Sequence, residues 1–331
     1  MAHYLVSGAA GFIASRVIET LAADGHEVTG IDNLNDAYDI RMKEYRLRRL
    51  QQLPNFHFHK LDISDRTALL ELEKNHQKIA GGVSFTAIIN LAARAGVRQS
   101  VENPWVYLDT NITGTLNLLE MCKNLDIPKF ILASTSSVYG ANAPLPTPET
   151  AESDRPLQAY AASKKSAETL CHVYHYLYGL DVTIFRYFTV YGPAGRPDMS
   201  MFRFTQWIAE GKPVLLNGDG EQSRGFTYVD DIARGTILGL MPLGYEIINL
   251  GGHETIRMNQ LIQMLEGLIG RKAQVKQLPA HPADMLANWA DVRKAERLLG
   301  WTPQVSLEEG VARMVAWYND EREWASQVRT T

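Results

Sequence analysis

Tyr160 and Lys164 lie four residues apart in Gln158-Ala159-Tyr160-Ala161-Ala162-Ser163-Lys164-Lys165. On a helix that spacing puts them on one face, one turn apart. An ammonium held near a phenol favours the phenolate, so Tyr160 is expected to act as a base well below the usual phenol pKa of about 10. Pairs of this kind also stack on helix surfaces without any function. The residues around them decide which meaning holds.

A short apolar strand, Tyr4-Leu5-Val6-Ser7, runs into Gly8-Ala9-Ala10-Gly11-Phe12-Ile13-Ala14. Val17, Ile18 and Leu21 then mark a helix, and a second strand, Glu27-Val28-Thr29-Gly30-Ile31, ends in Asp32. Strand, glycine turn, helix, strand and acid in that order form a dinucleotide-binding βαβ unit. Gly8 and Gly11 let the backbone approach a pyrophosphate, the helix N-terminus offers it N–H groups, and Asp32 can bind a ribose diol. Asp32 would repel a 2′-phosphate, which argues for NAD over NADP.

Further alternation of strands and helices must position these groups. Strands are expected at residues 56–60, 86–90, 129–133 and 182–187, with helices near 39–53, 66–75, 111–125 and 158–178. This pattern predicts an α/β fold, a Rossmann-type doubly wound parallel sheet covered on both faces. Ligands bind such sheets beyond the carboxyl ends of the strands, where Asp32, Asp62, Asn90, Thr135 and Thr189 all fall. Past residue 190 proline and glycine punctuate the chain, and shorter elements predict a smaller α+β C-terminal lobe that binds the substrate. The division is placed at 1–180 and 181–331, with segments near 226–250 expected to return to the first domain.

Composition fits an enzyme of ordinary globular type. The 331 residues give room for about two domains, and 45% hydrophobic with 21% charged residues excludes a disordered or fibrous chain. A net charge of −4 argues against a nucleic-acid partner. The one basic run, residues 41–49, is interrupted at helical spacing and reads as a solvated helix face. Cys122 and Cys171 lack metal-ligand spacing and read as small buried side chains in a reducing compartment. His172 and His175 stand three apart on a helix with no further ligands nearby, so no metal site is expected. Without an apolar span of membrane length or a cleavable signal, the expected location is cytoplasmic, with no membrane partner.

Over essentially its full length the chain resembles the extended short-chain dehydrogenase/reductase superfamily, and within it the nucleotide-sugar epimerases. The matching blocks are residues 7–14, Asp32-Asn33, Asp62-Ile63, Asn90-Leu91-Ala92-Ala93, residues 134–140, 160–164, 185–193 and 226–231. The resemblance implies a tightly held NAD bound by Gly8, Gly11, Phe12, Ile13, Asp32, Asn33, Asp62, Ile63, Leu91, Ala92 and Ala93, with Tyr160 and Lys164. It also implies a UDP-sugar substrate and a homodimer built from the helices near 103–125 and 158–178. Tyr160 would take the proton from a sugar hydroxyl, Lys164 would bind the nicotinamide ribose and lower the tyrosine pKa, and Thr135 would hydrogen-bond the reacting oxygen. The alternative for Thr135 is a helix cap.

Which reaction follows oxidation is decided partly by what is missing. Related dehydratases carry Asp-Glu after the threonine, and related decarboxylases a Glu in this segment. Ser136 and Ser137 stand there instead, and neither can act as a carboxyl acid–base. What remains is oxidation at C4, rotation of the keto-sugar and return of hydride to its other face. Arg186-Tyr187-Phe188-Thr189, the run from Thr189 to Met199, Asp32-Asn33-Leu34-Asn35-Asp36 and Ala95-Gly96-Val97-Arg98 resemble UDP-glucuronate 4-epimerases. The expected reaction is therefore UDP-glucuronate to UDP-galacturonate. Alternatives are a UDP-glucose or UDP-N-acetylglucosamine 4-epimerase, a UDP-glucuronate decarboxylase and a non-catalytic NAD-binding protein.

A uronate gives the remaining candidates a task, because its 4-keto form is a β-keto acid prone to lose CO₂. Ser136, Ser137, Thr189 and Arg196 could hold the carboxylate out of line with the carbonyl. Arg196 could instead simply pair with Asp198. Arg224 matches an arginine that binds the diphosphate in relatives, Asp284 matches a ribose contact, and Arg98 completes the substrate set. Ala14 replaces the usual third glycine, Gly225 a common Asp, His281 an Arg or Gln, and Arg94 a Gln.

Overall fold

A computed structural model describes residues 1–79, 85–252, 254–279 and 287–330. Its strands are β1 (His3–Ser7), β2 (Glu27–Asp32), β3 (Phe56–Lys60), β4 (Ala87–Asn90), β5 (Lys129–Thr135), β6 (Asp181–Tyr187), β7 (Thr189–Tyr191), β8 (Val214–Asn217), β9 (Ser223–Tyr228), β10 (Tyr245–Leu250), β11 (Glu254–Arg257), β12 (Val275–Leu278) and β13 (Ala287–Asn288). Seven of them form one parallel sheet in the order β3-β2-β1-β4-β5-β6-β10. The order reverses between β1 and β4, which opens a crevice above the carboxyl ends of those two strands. The sheet takes β6 and β10, so it draws strands from both sides of residue 180.

Helices cover both faces, and side-chain alternation along the strands feeds both cores. In β1, Tyr4 and Val6 pack with Val17, Ile18 and Leu21 of α1 (Phe12–Ala23), and Leu5 packs on the opposite side. The first core also takes Leu47 and Leu50 of α2 (Arg41–Leu50). A helical run leads through α4 (Gln99–Glu102), α5 (Trp105–Leu108) and a π-helical turn (Asp109–Thr113) into α6 (Gly114–Asn124), and the opposite core is closed by α3 (Arg66–Ile79), α6 and α7 (Ala159–Tyr178). Leu118, Leu119, Ala167 and Cys171 meet in it beneath Phe130 and Leu132 of β5. Helix α7 stops at Gly179, whose φ of 68° is the left-handed conformation that ends helices.

The remaining elements form a mixed sheet around β9, antiparallel to β11 and parallel to β7 and β13, plus the parallel pair β8–β12. Their core joins Phe204 and Ile208 of α8 (Ser200–Ala209) to a C-terminal helix carrying Val311 and Val315. Gly225 in β9 has a packing reason: a Cβ there would lie 2.3 Å from the Gly252 carbonyl oxygen. No side chain can stand at that crossing. Among the described residues no helix is long and apolar enough to cross a membrane.

The basic run departs from expectation. In α2 Arg48 and Arg49 are exposed, but Lys43 and Arg46 are only 6% and 3% exposed. One face of this helix turns its cations toward the crevice instead of toward water.

Candidate active site

A cavity of about 630 Å³ opens above the carboxyl ends of the large sheet and runs beneath β8 and β9. Its lining contains Gly8, Gly11, Phe12, Ile13, Asp32, Asn33, Asp62, Ile63, Leu91, Ala92 and Ala93 from the first half of the chain. Thr135, Tyr160 and Lys164 line it as well, together with Arg98, Ser136, Ser137, Thr189, Arg196 and Arg224. Asp284 and His281 lie outside the described residues.

The glycine loop meets the geometric needs of a dinucleotide. Gly8 has φ of 72°, and a Cβ on it would lie 2.8 Å from the Ala92 backbone. Gly11, the N-cap of α1, has no side-chain cap, and the first turn of the helix carries no acid. The opening N–H groups of a twelve-residue helix thus face the cavity with no side chain in competition, the arrangement a pyrophosphate requires. Ala14, at the third glycine position, is fully buried and serves packing. Asp32 accepts from the Ala10 and Leu34 backbone N–H groups at 3.2 and 2.7 Å and from Lys43 Nζ at 3.2 Å. Asn33, next to Asp32 in the chain, donates to Asp62 at 2.6 Å, which ties the ends of β2 and β3 together. Burial opposes ionisation of Asp62, but hydrogen bonds from Ser64 and Asn33 and the charge of Arg94 bring it below the ordinary carboxylate range. These residues fit NAD.

We expect Gly8→Ala to lose about 1–2 kcal/mol from the left-handed backbone alone, and more from the clash with Ala92. Urea unfolding with and without NAD checks it: the variant should unfold earlier, and added NAD should restore less stability than in the unmodified protein.

Thr135 and Tyr160 come together although 25 residues separate them. Thr135 ends β5 and caps the 3₁₀ turn Ser136–Tyr139, its hydroxyl accepting from the Ser137 N–H at 3.2 Å. The same hydroxyl donates to Ser137 Oγ at 3.2 Å and stands close enough to the Tyr160 phenol to favour its ionised form, so the capping role and the influence on Tyr160 coexist. Burial raises the Tyr160 pKa, while the Thr135 hydrogen bond and the Arg196 charge pull it partly back. Lys164, one helical turn along from Tyr160, has a backbone partner of its own. Its ammonium, 2% exposed, points down to the Ala133 carbonyl at 2.8 Å. Burial lowers Lys164 to about 8, with Cys171 and Glu168 acting in the opposite sense. Lys164 therefore remains largely charged at neutral pH, with one of its three N–H donors engaged by Ala133.

Arg196 forms the ion pair that was its alternative role. Nε and Nη2 grip Asp198 at 3.1 and 2.6 Å, yet the guanidinium still lines the cavity and acts on Tyr160. Ser136 accepts from Asn288 Nδ2 at 3.2 Å, and Asn288 pairs in register with Arg224. Arg94 gains an account: Asn111, in the π-helical turn, holds its N–H and carbonyl, each at 3.0 Å, and reaches Ser163 at 2.9 Å. Its charge then acts on Asp62 and Tyr107.

Lys43, Asn288 and Arg203 line the cavity as well, and sequence reasoning missed them. Arg203 lies over the Trp207 ring at 4.5 Å, and its Nε is buried without a hydrogen-bond partner. None of the three sits in a spacing that signals ligand binding; only the inward turn of their elements reveals them.

A family model described as the NAD dependent epimerase/dehydratase family matches residues 4–251. The chain is 54% identical over 330 residues to a UDP-glucuronate 4-epimerase of Thermodesulfobacterium geofontis, covering 99% of this chain and all of that one. It superposes with a TM-score of 0.88 on the UDP-glucuronic acid 4-epimerase of Bacillus cereus in complex with UDP-glucuronic acid and NAD. That match is 37% identical over 96% of this chain and 99% of the other. A UDP-glucose 4-epimerase of Thermotoga maritima with UDP-glucose is similar at 32% identity and a TM-score of 0.87, over 97% and 99% of the two chains. The chain belongs to the NAD dependent epimerase/dehydratase family.

Proposed function

We propose that the protein is an NAD-dependent isomerase that interconverts UDP-glucuronate and UDP-galacturonate at C4. One observation carries this reading. The cavity brings the Thr135–Tyr160 pair and Lys164 beside three hydroxyls and a guanidinium, from Ser136, Ser137, Thr189 and Arg196, with no acidic side chain in the Ser136–Ser137 segment. The similar proteins of T. geofontis and B. cereus carry the same activity in their names.

Bound NAD supplies an acceptor and later a donor of hydride at C4, and its positively charged ring adds to the pull on the phenol. Tyr160 takes the proton of the C4 hydroxyl and gives it back after the keto-sugar has turned over. Thr135 holds the reacting oxygen and stabilises the phenolate by its hydrogen bond. Lys164, fixed by Ala133, offers its remaining N–H groups to ribose hydroxyls. Asp32 and Asp62 take the adenosine end, with Lys43 steadying Asp32. Ser136, Ser137 and Thr189 donate to the carboxylate and Arg196 adds charge, which keeps the carboxylate from aligning with the C4 carbonyl. Arg98 and Arg224 take the diphosphate.

Proton NMR of UDP-glucuronate with the purified protein and no added NAD tests the assignment. Appearance of UDP-galacturonate is the expected result; conversion of neutral UDP-sugars alone would sink it. The same spectra check a second expectation. Thr189→Ala should release a UDP-pentose that the unmodified protein does not form, because one restraint on the β-keto acid is gone.

The large sheet with α1 to α7 forms the cofactor lobe in this reading, and the mixed sheet with α8 the nucleotide-sugar lobe. The apolar face of α5 and α7, where Trp105 and Tyr176 are 72% and 79% exposed, supports a homodimer. Light scattering of the unmodified protein and of Tyr176→Glu would test it. Two buried, unpaired cysteines are in keeping with a cytoplasmic site of action.

A further inference from the structure

Arg46 projects from α2 into the space between the two lobes, 3% exposed. Every acceptor it meets is uncharged. Nε and Nη2 donate to the Ala194 carbonyl at 3.0 and 2.7 Å, and Nη2 also reaches Gly195 O at 3.3 Å. On the other side Nη1 donates to the Ala10 carbonyl at 3.1 Å and to the Tyr38 hydroxyl at 2.8 Å. The rings of Phe12 and Tyr38 lie 5.8 and 5.6 Å from the guanidinium carbon. Among the described residues no carboxylate pairs with it.

A buried guanidinium without a counter-ion is costly, so a fold that retains one uses its geometry. Ala10 belongs to the glycine loop at the start of α1, and its own N–H is bonded to Asp32. Ala194 and Gly195 form the turn immediately before Arg196, and that turn is closed by Gly195 N–H on Gly192 O at 3.1 Å. A single rigid fork thus ties the dinucleotide loop to the turn that presents Arg196. Only arginine has donors set at the angles needed to hold carbonyls on both sides; a lysine is a point donor.

We propose that Arg46 is a positioning residue that links the two ligand sites, so that NAD and the UDP-sugar strengthen one another's binding through it. The sugar half of this link rests on the function proposed above. Pyrophosphate settling on the glycine loop fixes Ala10, the fork fixes Ala194 and Gly195, and Arg196 is held ready for the sugar. By linkage the sugar must tighten NAD by the same factor.

The test is equilibrium dialysis of labelled NAD against the full chain with and without saturating UDP-glucuronate, alongside steady-state kinetics. In the unmodified protein the sugar nucleotide should tighten NAD at least about fivefold. Arg46→Gln and the charge-conserving Arg46→Lys should each reduce that factor to less than about twofold and raise KM for UDP-glucuronate much more than they lower kcat. Thermal unfolding of each variant gives its folded fraction, and Arg46→Lys, which keeps the charge, guards against simple misfolding of Arg46→Gln. A folded Arg46→Lys protein with the linkage intact would overturn the proposal, as would an unmodified protein showing no linkage. An unmodified protein that does not epimerise UDP-glucuronate would instead overturn the substrate assignment, and the dialysis would be repeated with the UDP-sugar it does convert.

Discussion

Replacing Tyr160 by phenylalanine is expected to lower turnover about 10²–10⁴-fold while the fold persists and NAD still binds. The ring fits the same space, including its edge-to-face contact with Tyr107 at 6.1 Å between centroids. Only the hydroxyl is lost, and with it the ionisable group on which Thr135 and Arg196 act. Single-turnover kinetics and NAD content after purification check this. A Tyr160→Phe protein that turned over normally would show that another group takes the C4 proton. The direction of the tyrosine pKa sharpens the expectation. Burial raises it, so the phenolate forms only with help from Thr135, Arg196 and the positive nicotinamide ring. Thr135→Ala should therefore slow the reaction most at low pH, where the phenol is hardest to ionise.

The second large effect lies one helical turn beyond Lys164. Glu168 and Arg186 are each 2% exposed and pair through Nε at 2.9 Å and Nη2 at 2.7 Å. Ser134, beside Thr135, donates to Glu168 at 2.6 Å, so the pair also pins the strand end against α7. Glu168→Gln leaves the arginine charge buried without its counter-ion and should destabilise the protein by about 3–5 kcal/mol. Replacing both partners with apolar residues should recover part of that loss.

The pH dependence has a definite sign. Burial opposes ionisation of Glu168, but Arg186 and then Ser134 and Lys165 outweigh it, and the folded pKa lies below the ordinary value. A carboxylate depressed in the fold stabilises above its unfolded pKa, and that stability disappears as pH falls through the folded value. Urea unfolding of both proteins at pH 7 and in acid should show the gap at pH 7 narrowing below about pH 4. A gap independent of pH would mean that Gln disrupts packing rather than charge.

Local patterns in the chain sufficed for the sheet and for most of the site. Gly8, Gly11 and Asp32 announce a βαβ unit because dinucleotide binding demands a turn, a helix start and an acid within one short segment. Tyr160 and Lys164 share a helix, so a spacing of four already fixes their common face. Thr135 was readable because strand ends of a parallel sheet converge on one edge.

Long-range packing decided the rest. The cations of α2 look alike as letters, yet Lys43 and Arg46 face the crevice while Arg48 and Arg49 face water. Helical periodicity divides a helix into faces, but which face is inward depends on what packs over it, here Tyr38 and the Ala194 turn. Spacing puts Lys164 on the face of Tyr160, but only the packed strand end shows that its ammonium also donates to the Ala133 carbonyl. Gly225 and Asn288 acquire meaning only where β9 crosses Gly252 and β13 meets Ser136. Motifs report chemistry that must be local; the direction of a charge is set by neighbours from distant parts of the chain.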